Sequence, residues 1–321
     1  VIRCGPAGWS YPDSPGYVYP TGLGSRFDAL AFLAGFFDTI EINSTFYAPQ
    51  PPRNFASWAR RVAANPDFRF AVKLWRRFTH PERARSREPG AVEAGSRERG
   101  AGSEAADEAA HPGVTAWSKD EVRQVAEGLA VLRDEGRLGA VLAQFPWSFK
   151  PSAEARDLLR RLADDFADWP LVVELRHGGW DRAETLDFLR AHQMGLANID
   201  QPIIGRSIRP SAVATGPIGY VRFHGRNYER WIEHEESHQR YDYLYSAEEL
   251  RPWVERIRKV EADDEVRDVY VITNNHFRGK GPANALMLRS MLEGRKVGAP
   301  PTLFDTYRAA LEPHVEPGRG G

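Results

Sequence analysis

Eight short apolar runs, each passing into polar or turn residues, recur along this chain: Ile2 to Gly8, Phe37 to Asn43, Phe68 to Leu74, Leu138 to Phe145, Leu171 to Arg176, Gly195 to Asp200, Ile218 to His224 and Val269 to Asn274. Segments of helical periodicity separate most of them. Ser118 with Glu121 forms a capping-box pattern ahead of Val122, Val125, Leu129 and Leu132, and Ser246 with Glu249 does the same ahead of Leu250, Trp253, Val254 and Ile257. Ser152 precedes a face of Leu158, Leu159, Leu162 and Phe166, and Asp181 with Glu184 opens another over Leu186 and Leu189.

Strand and helix in alternation imply parallel strands joined by right-handed crossovers, and eight such units favour closure into a single TIM-like (β/α) barrel. An open doubly wound sheet is the alternative, although no GxGxxG follows the first strand. With 321 residues and 42% hydrophobic content the chain can bury one large α/β core.

Three segments break the pattern. Glu82 to Thr115, after the third strand, is built from Arg, Glu, Gly, Ala and Ser without an aromatic residue. It offers too little apolar area to offset ordering its backbone, so it reads as a mobile insertion, with a lid over the barrel as the alternative. Gln201 to Thr215 carries two prolines and replaces the sixth helix with a short or irregular one. Glu312 to Gly321 reads as a frayed tail beyond a domain spanning residues 1–311. The RNYERWIEHEESHQRYDY loop is either packed surface or a substrate-covering flap. Leu303 and Phe304 either dock on the barrel or anchor a protein partner.

Forty-three basic residues against 44 acidic ones leave a net charge of −1, so any anion site must be local. One cysteine excludes an internal disulfide and a thiolate metal cluster, which fits a reducing compartment. No apolar run reaches transmembrane length and no signal peptide is apparent; the expected location is the cytoplasm, without membrane contact.

Period-two alternation sorts side chains by face. Glu41 and Asn43 oppose Ile40 and Ile42; Glu174 and Arg176 oppose Val173 and Leu175; Asn198 and Asp200 oppose Ala197 and Ile199; Arg222 and His224 oppose Val221 and Phe223. Lys73 ends the third strand, Gln144 nearly ends the fourth, and Asn274, Asn275 and His276 follow the eighth. Helices cover the outside of a barrel, so the polar set is expected to point inward and converge at the C-terminal mouth, where barrel enzymes hold their chemistry. His80 reaches in from a loop or caps a turn before Pro81. Trp9, Tyr11 and Trp180 roof the core or stack a sugar or base.

The stretches GPAGWSYPD, EINSTFY, FAVKLWRRFTH, LAQFPWSF, VVELRHGGW, YVRFHGR and TNNHFRGKGPANAL together resemble the YecE-like family, a widespread domain of unknown function. The resemblance runs from Cys4 to about Leu292. It implies a TIM-like barrel but no known reaction. Carried over by motif, it places Glu41, Asn43, Lys73, His80, Gln144, Glu174, Arg176, His177, Asp200, Arg222, His224, Asn274, Asn275 and His276 in a pocket. The insertion after FTHP departs from the family pattern, which has a shorter helical connection there.

Lys73, Arg176 and Arg222 suit a small anionic, phosphate-bearing ligand, with Glu41 or Glu174 as general base and His224 or His276 as acid in a phosphoester hydrolase. The neutral donors Asn43, Gln144, Asn274 and Asn275 favour an anion between those cations. A closed ion-pair network of Glu41, Glu174 and Asp200 with the three cations is the alternative. A retaining glycosidase is disfavoured, because cations beside both carboxylates would spoil the acid. No resident cofactor is assigned. A divalent metal is an alternative, with Glu174 and His177 at E-x-x-H spacing beside Glu41, Asp200, His224 and His276, as in nuclease-like barrels; cations nearby oppose it. Non-catalytic binding of a nucleotide or nucleic-acid fragment is the third reading. Replacing Glu82 to Thr115 with a short Gly/Ser linker should leave the melting temperature within a few degrees of wild type. A larger loss in a thermal melt would show that the segment packs.

Overall fold

The computed structural model describes residues 1–80, 117–228 and 241–318, so the expectations for Glu82 to Thr115 and for most of the RNYERWIEHEESHQRYDY loop fall outside the described residues. The eight expected strands form: β1 (Ile2–Pro6), β2 (Thr39–Ile42), β3 (Arg69–Lys73), β4 (Leu138–Gln144), β5 (Leu171–Glu174), β6 (Gly195–Asp200), β7 (Ile218–Phe223) and β8 (Asp268–Thr273). Both capping boxes are made, at Ser118 with Glu121 over the Lys119–Asp134 helix and at Ser246 with Glu249 over the Ala247–Glu261 helix. Ser152 caps Ala153–Asp165 by accepting from the Ala155 amide. The next helix, Ala183–Ala191, starts from Arg182 without a side-chain cap rather than from Asp181. A tight turn at Gly178–Trp180 runs through Asp181 and delays the helix.

The strands lie in the order β1-β8-β7-β6-β5-β4-β3-β2, every neighbouring pair parallel. Closure between β1 and β2 comes from Ala7 bridging to Glu41 and from the Gly8 amide donating to the Glu41 carbonyl at 2.8 Å. The sheet is therefore a nearly closed barrel rather than an open layer. Gly5 makes that approach possible: a Cβ there would sit 1.8 Å from the Thr39 carbonyl oxygen.

Two cores follow from the alternation. A large outer cluster joins residues such as Ile40, Ile42, Val173, Val221 and Val271 to the helices. A smaller one fills the barrel with Ala71, Ala140, Leu142, Val172, Ala197, Ile199, Ile218, Tyr220, Tyr270 and Ile272. Small residues on β3 and β4 leave room for the two tyrosines; at Gly139 a Cβ would lie 2.3 Å from the Tyr270 hydroxyl.

No regular sixth helix forms, in line with the sequence: Gln201 to Thr215 is irregular, clipped to the fifth strand's extension by a bridge between His177 and Ser207. The tail expected to fray from Glu312 instead adds a strand. Val315–Pro317 (β10) pairs in parallel with Val297–Ala299 (β9), and Val315 is buried. The Gly318 amide reaches the Ala299 carbonyl at 2.8 Å. Leu303 and Phe304 are also buried, which removes the Leu-Phe anchor for a protein partner. Among the described residues no helix is long and apolar enough to cross a membrane.

Gly5→Ala should push β1 off β2 and destabilise the fold by about 1–3 kcal/mol, the usual cost of overpacking, read as a lower midpoint in urea unfolding. A wild-type midpoint would show that closure does not depend on this contact.

Candidate functional site

Every inward position at the upper ends of β2, β3, β4, β5 and β7 is polar, and the side chains meet below the mouth. Arg222 sits at the centre with no solvent exposure. Its Nη2 donates to Glu41 Oε1 at 2.7 Å and its Nε to Glu41 Oε2 at 3.0 Å, while Nη1 faces Glu174 Oε2 and Gln144 Oε1, each at 3.3 Å. A buried guanidinium needs its donors satisfied, and here two carboxylates and an amide do so. Arg222 is thereby corrected from an anion ligand to the hub of an ion-pair network.

Glu41 also accepts from the Tyr220 hydroxyl at 2.8 Å. Burial, then the Glu41 charge, pushes Tyr220 well above the ordinary tyrosine range, so it keeps its proton for this bond. Its fixed place two residues before Arg222 was legible from the same alternation, but an aromatic residue reads first as core. With Arg222 and Tyr220 on its oxygens, Glu41 is poorly placed as a general base.

Glu174 Oε1 lies 3.0 Å from His224 Nε2, and both side chains are fully buried. Burial alone would raise the Glu174 carboxyl; His224, Arg222 and Arg176 together outweigh it and hold it at about 2. Burial lowers the His224 pKa, against the pull of Glu174. The pair is a neutral imidazole donating from Nε2 to a carboxylate, with Nδ1 turned toward the Asn274 amide at 3.5 Å. Glu174 thus holds the His224 ring through this hydrogen bond.

Two further cations end or follow inward strand positions. Arg176, nearly buried, lies 4.0 Å from Glu174 through Nε, which also donates to Gln201 Oε1 at 2.9 Å. Lys73, buried at the end of β3, holds its ammonium 4.0 Å over the Phe46 ring. Asn43 Oδ1 and Ser44 Oγ, at the end of β2, are buried without a hydrogen-bond partner among the described residues. Asn43 does reach the Tyr11 hydroxyl at 3.4 Å. Gln201 and Ser44 carried no sequence signal, since isolated polar residues in loops are ordinary.

His276 stacks on Tyr11 with ring centres 4.2 Å apart and planes 1° from parallel, with Tyr241 on another side at 5.1 Å. His80 shares a 2.8 Å hydrogen bond with Thr79 and sets its edge on Phe46. His177 accepts the Gly179 amide at 3.0 Å on Nδ1 and touches the edge of Trp147. Burial, then Lys150 and Arg206, depresses its pKa.

Three residues expected at the mouth are elsewhere. On β6 the faces are reversed: Ala197 and Ile199 fill the barrel, and Asn198 and Asp200 point out. Asp200 receives Arg226 through Nη2 at 2.6 Å, the Tyr245 hydroxyl at 2.8 Å and Trp253 Nε1 at 2.5 Å. Asn198 accepts from Ser211 and from the Val213 amide at 2.9 Å. The cause is the missing sixth helix: irregular chain outside β6 brings polar groups that an apolar strand face could not satisfy. Asn275 also turns outward, bonding the Tyr243 carbonyl and Asn284. Asp200 therefore leaves the expected balance of three carboxylates against three cations. The E-x-x-H pair does not assemble, and among the described residues no three His, Cys, Asp or Glu side chains gather as a metal site.

Glu174 is held below its ordinary value of 4.5, so its contribution to stability is full above that value and is lost as pH falls toward 2. Between about pH 5 and about pH 3 the melting temperature of wild type should fall more steeply than that of Glu174→Gln. Parallel slopes in thermal melts would show that this carboxylate is not stabilised by its neighbours.

With this geometry in place, comparison with known proteins gives a consistent set. Residues 3–305 match the profile described as "Protein of unknown function DUF72". The UPF0759 protein YunF of Bacillus subtilis (strain 168) is 26% identical over 318 residues, covering 96% of this chain and 100% of that one. A crystal structure of a DUF72 family protein from Thermotoga maritima MSB8 aligns with 91% of this chain and 99% of its own, at 33% identity and a TM-score of 0.70. One from Enterococcus faecalis V583 aligns with 91% of this chain and 96% of its own, at 23% identity and a TM-score of 0.71, and speaks to the fold alone.

Proposed function

The chain belongs to the DUF72 family, which brings no known reaction with it, and from the barrel mouth we propose that it binds a phosphate-bearing anion there and acts on it as a phosphoester hydrolase. The observation that carries this reading is the fully buried Glu174–His224 pair, 3.0 Å apart, with Arg176 4.0 Å from Glu174. With Arg222 held by Glu41 and Glu174, this reading assigns the anion to Arg176 and Lys73 in exchange for their present contacts. Ser44, whose buried hydroxyl has no partner among the described residues, supplies a neutral donor.

In this reading Glu174 orients the His224 ring, as a carboxylate does in nucleophile-activating pairs, and Nδ1 takes a proton from water in exchange for its contact with the Asn274 amide. The water oxygen then bonds to phosphorus, the bond from phosphorus to the leaving oxygen breaks, and Arg176 and Lys73 offset the charge gathering on the phosphoryl oxygens. A two-carboxylate glycosidase is poorly supported, because Glu41 and Glu174 share one guanidinium and Glu174 is held ionised. The donor geometry gives the divalent-metal alternative no specific support.

Calorimetric titration with inorganic phosphate at low salt should show binding to wild type. Arg176→Gln should weaken it about tenfold, or about 1.4 kcal/mol, without a comparable loss of melting temperature. His224→Asn should abolish turnover of a phosphomonoester such as p-nitrophenyl phosphate while leaving phosphate affinity near wild type. Absence of phosphate binding, or equal affinity in Arg176→Gln, would overturn the anion reading.

A further inference from the structure

Beside the mouth, over β4 to β6, lies a basic and aromatic ledge that the network below does not use. His177 follows Arg176 directly, so the cation inside the mouth and the first ring of the ledge have Cα atoms only ~3.8 Å apart. Trp147 stands half-buried with its ring centre 5.1 Å from that of His177 and inclined at 66°, and the Lys150 ammonium lies 5.6 Å from the Trp147 ring centre. Arg206 is brought in by the irregular chain after β6. Its carbonyl accepts the Gly178 amide at 2.6 Å, and the Ile208 amide reaches the Arg176 carbonyl at 2.9 Å.

The ledge is firmly built. Phe145, Phe149 and Trp180 stack beneath it with centre spacings of 4.2 and 5.3 Å, and Trp180 Nε1 donates to the Phe149 carbonyl at 2.8 Å. Gly178 and Gly179 keep its surface low. A Cβ on the first would meet the Arg206 carbonyl at 2.9 Å, and one on the second would meet His177 and Pro151 at 2.9 Å. Lys150 and Arg206 are exposed, and neither pairs with a carboxylate among the described residues. Both lie close enough to His177 to add to the effect of burial in disfavouring its charged form.

A flat, half-buried indole next to uncommitted cations is the arrangement that holds a nucleobase with its neighbouring phosphate, because stacking tolerates any base and the cations track the backbone. We propose that the anion of the mouth is the phosphate of a nucleotide unit. Its base stacks on Trp147 at the ledge, and Lys150 and Arg206 receive an adjoining phosphate. This rests on the anion reading of the mouth, and it adds the substrate class.

The test compares inorganic phosphate, AMP, ADP and a five-residue oligoadenylate by calorimetry at low salt, on wild type, Trp147→Ala and Lys150→Gln. AMP should bind at least about tenfold more tightly than phosphate, within the range of one base stacked on an aromatic side chain. Trp147→Ala should erase that gain while leaving phosphate affinity unchanged. Lys150→Gln, an exposed change that spares the fold, should weaken ADP and the oligomer more than AMP. ADP matching the oligomer identifies a free nucleotide, whereas a tighter, more salt-sensitive oligomer identifies a single strand. If phosphate binds but AMP binds no better, or if Trp147→Ala keeps the preference, the nucleotide inference is overturned and the anion reading survives. If neither phosphate nor any nucleotide binds, both fall.

Discussion

The buried guanidinium of Arg222, held between Glu41 and Glu174, is the interaction on which the upper half of the barrel depends. A charge with no access to solvent persists only when its partners are fixed around it, and removing one partner of such a pair typically costs about 3–5 kcal/mol. The neighbours are therefore set in turn. Tyr220 keeps its proton to serve Glu41, Gln144 presents its carbonyl to Nη1, and Glu174 remains ionised. His224 then has one arrangement that suits it, neutral and donating from Nε2.

This ordering separates residues that sequence reasoning had grouped together. Arg222 and Arg176 lie on inward positions of β7 and the extension of β5, and both looked like anion ligands. One is bound by two carboxylates, whereas the other donates to Gln201 and lies 4.0 Å from Glu174. The two glutamates likewise looked like alternative bases, yet both are held by the arginine. The basic group left in the centre is the histidine. Charge partitioning of this kind needs three-dimensional distances, because a few ångströms decide whether a cation is spent or presented.

The sixth strand gives the plainest case of tertiary context overruling a local rule. ANID alternates as regularly as VELR or YVRFH, and the period correctly says which side chains share a face. It does not say which face is inside. Where a helix covers the strand, the outside is apolar and the polar set turns in. Over β6 the cover is irregular chain with Ser211 and Val213, plus Tyr245, Trp253 and Arg226, so Asn198 and Asp200 turn out.

By itself the sequence determined the eight strands, the helix starts at Ser118, Ser152 and Ser246, the lack of a regular sixth helix and the shared face that brings Glu41, Gln144, Glu174, Arg222 and His224 together. All of these follow from short-range periodicity and capping, whose signals lie within one element. Only the tertiary structure decided the reversal of β6, the part played by Tyr220, the grip of Gln201 on Arg176 and the pairing of β10 with β9. Each joins residues distant in the chain or turns on what packs against a face, and neither pattern nor propensity within a segment encodes its partner.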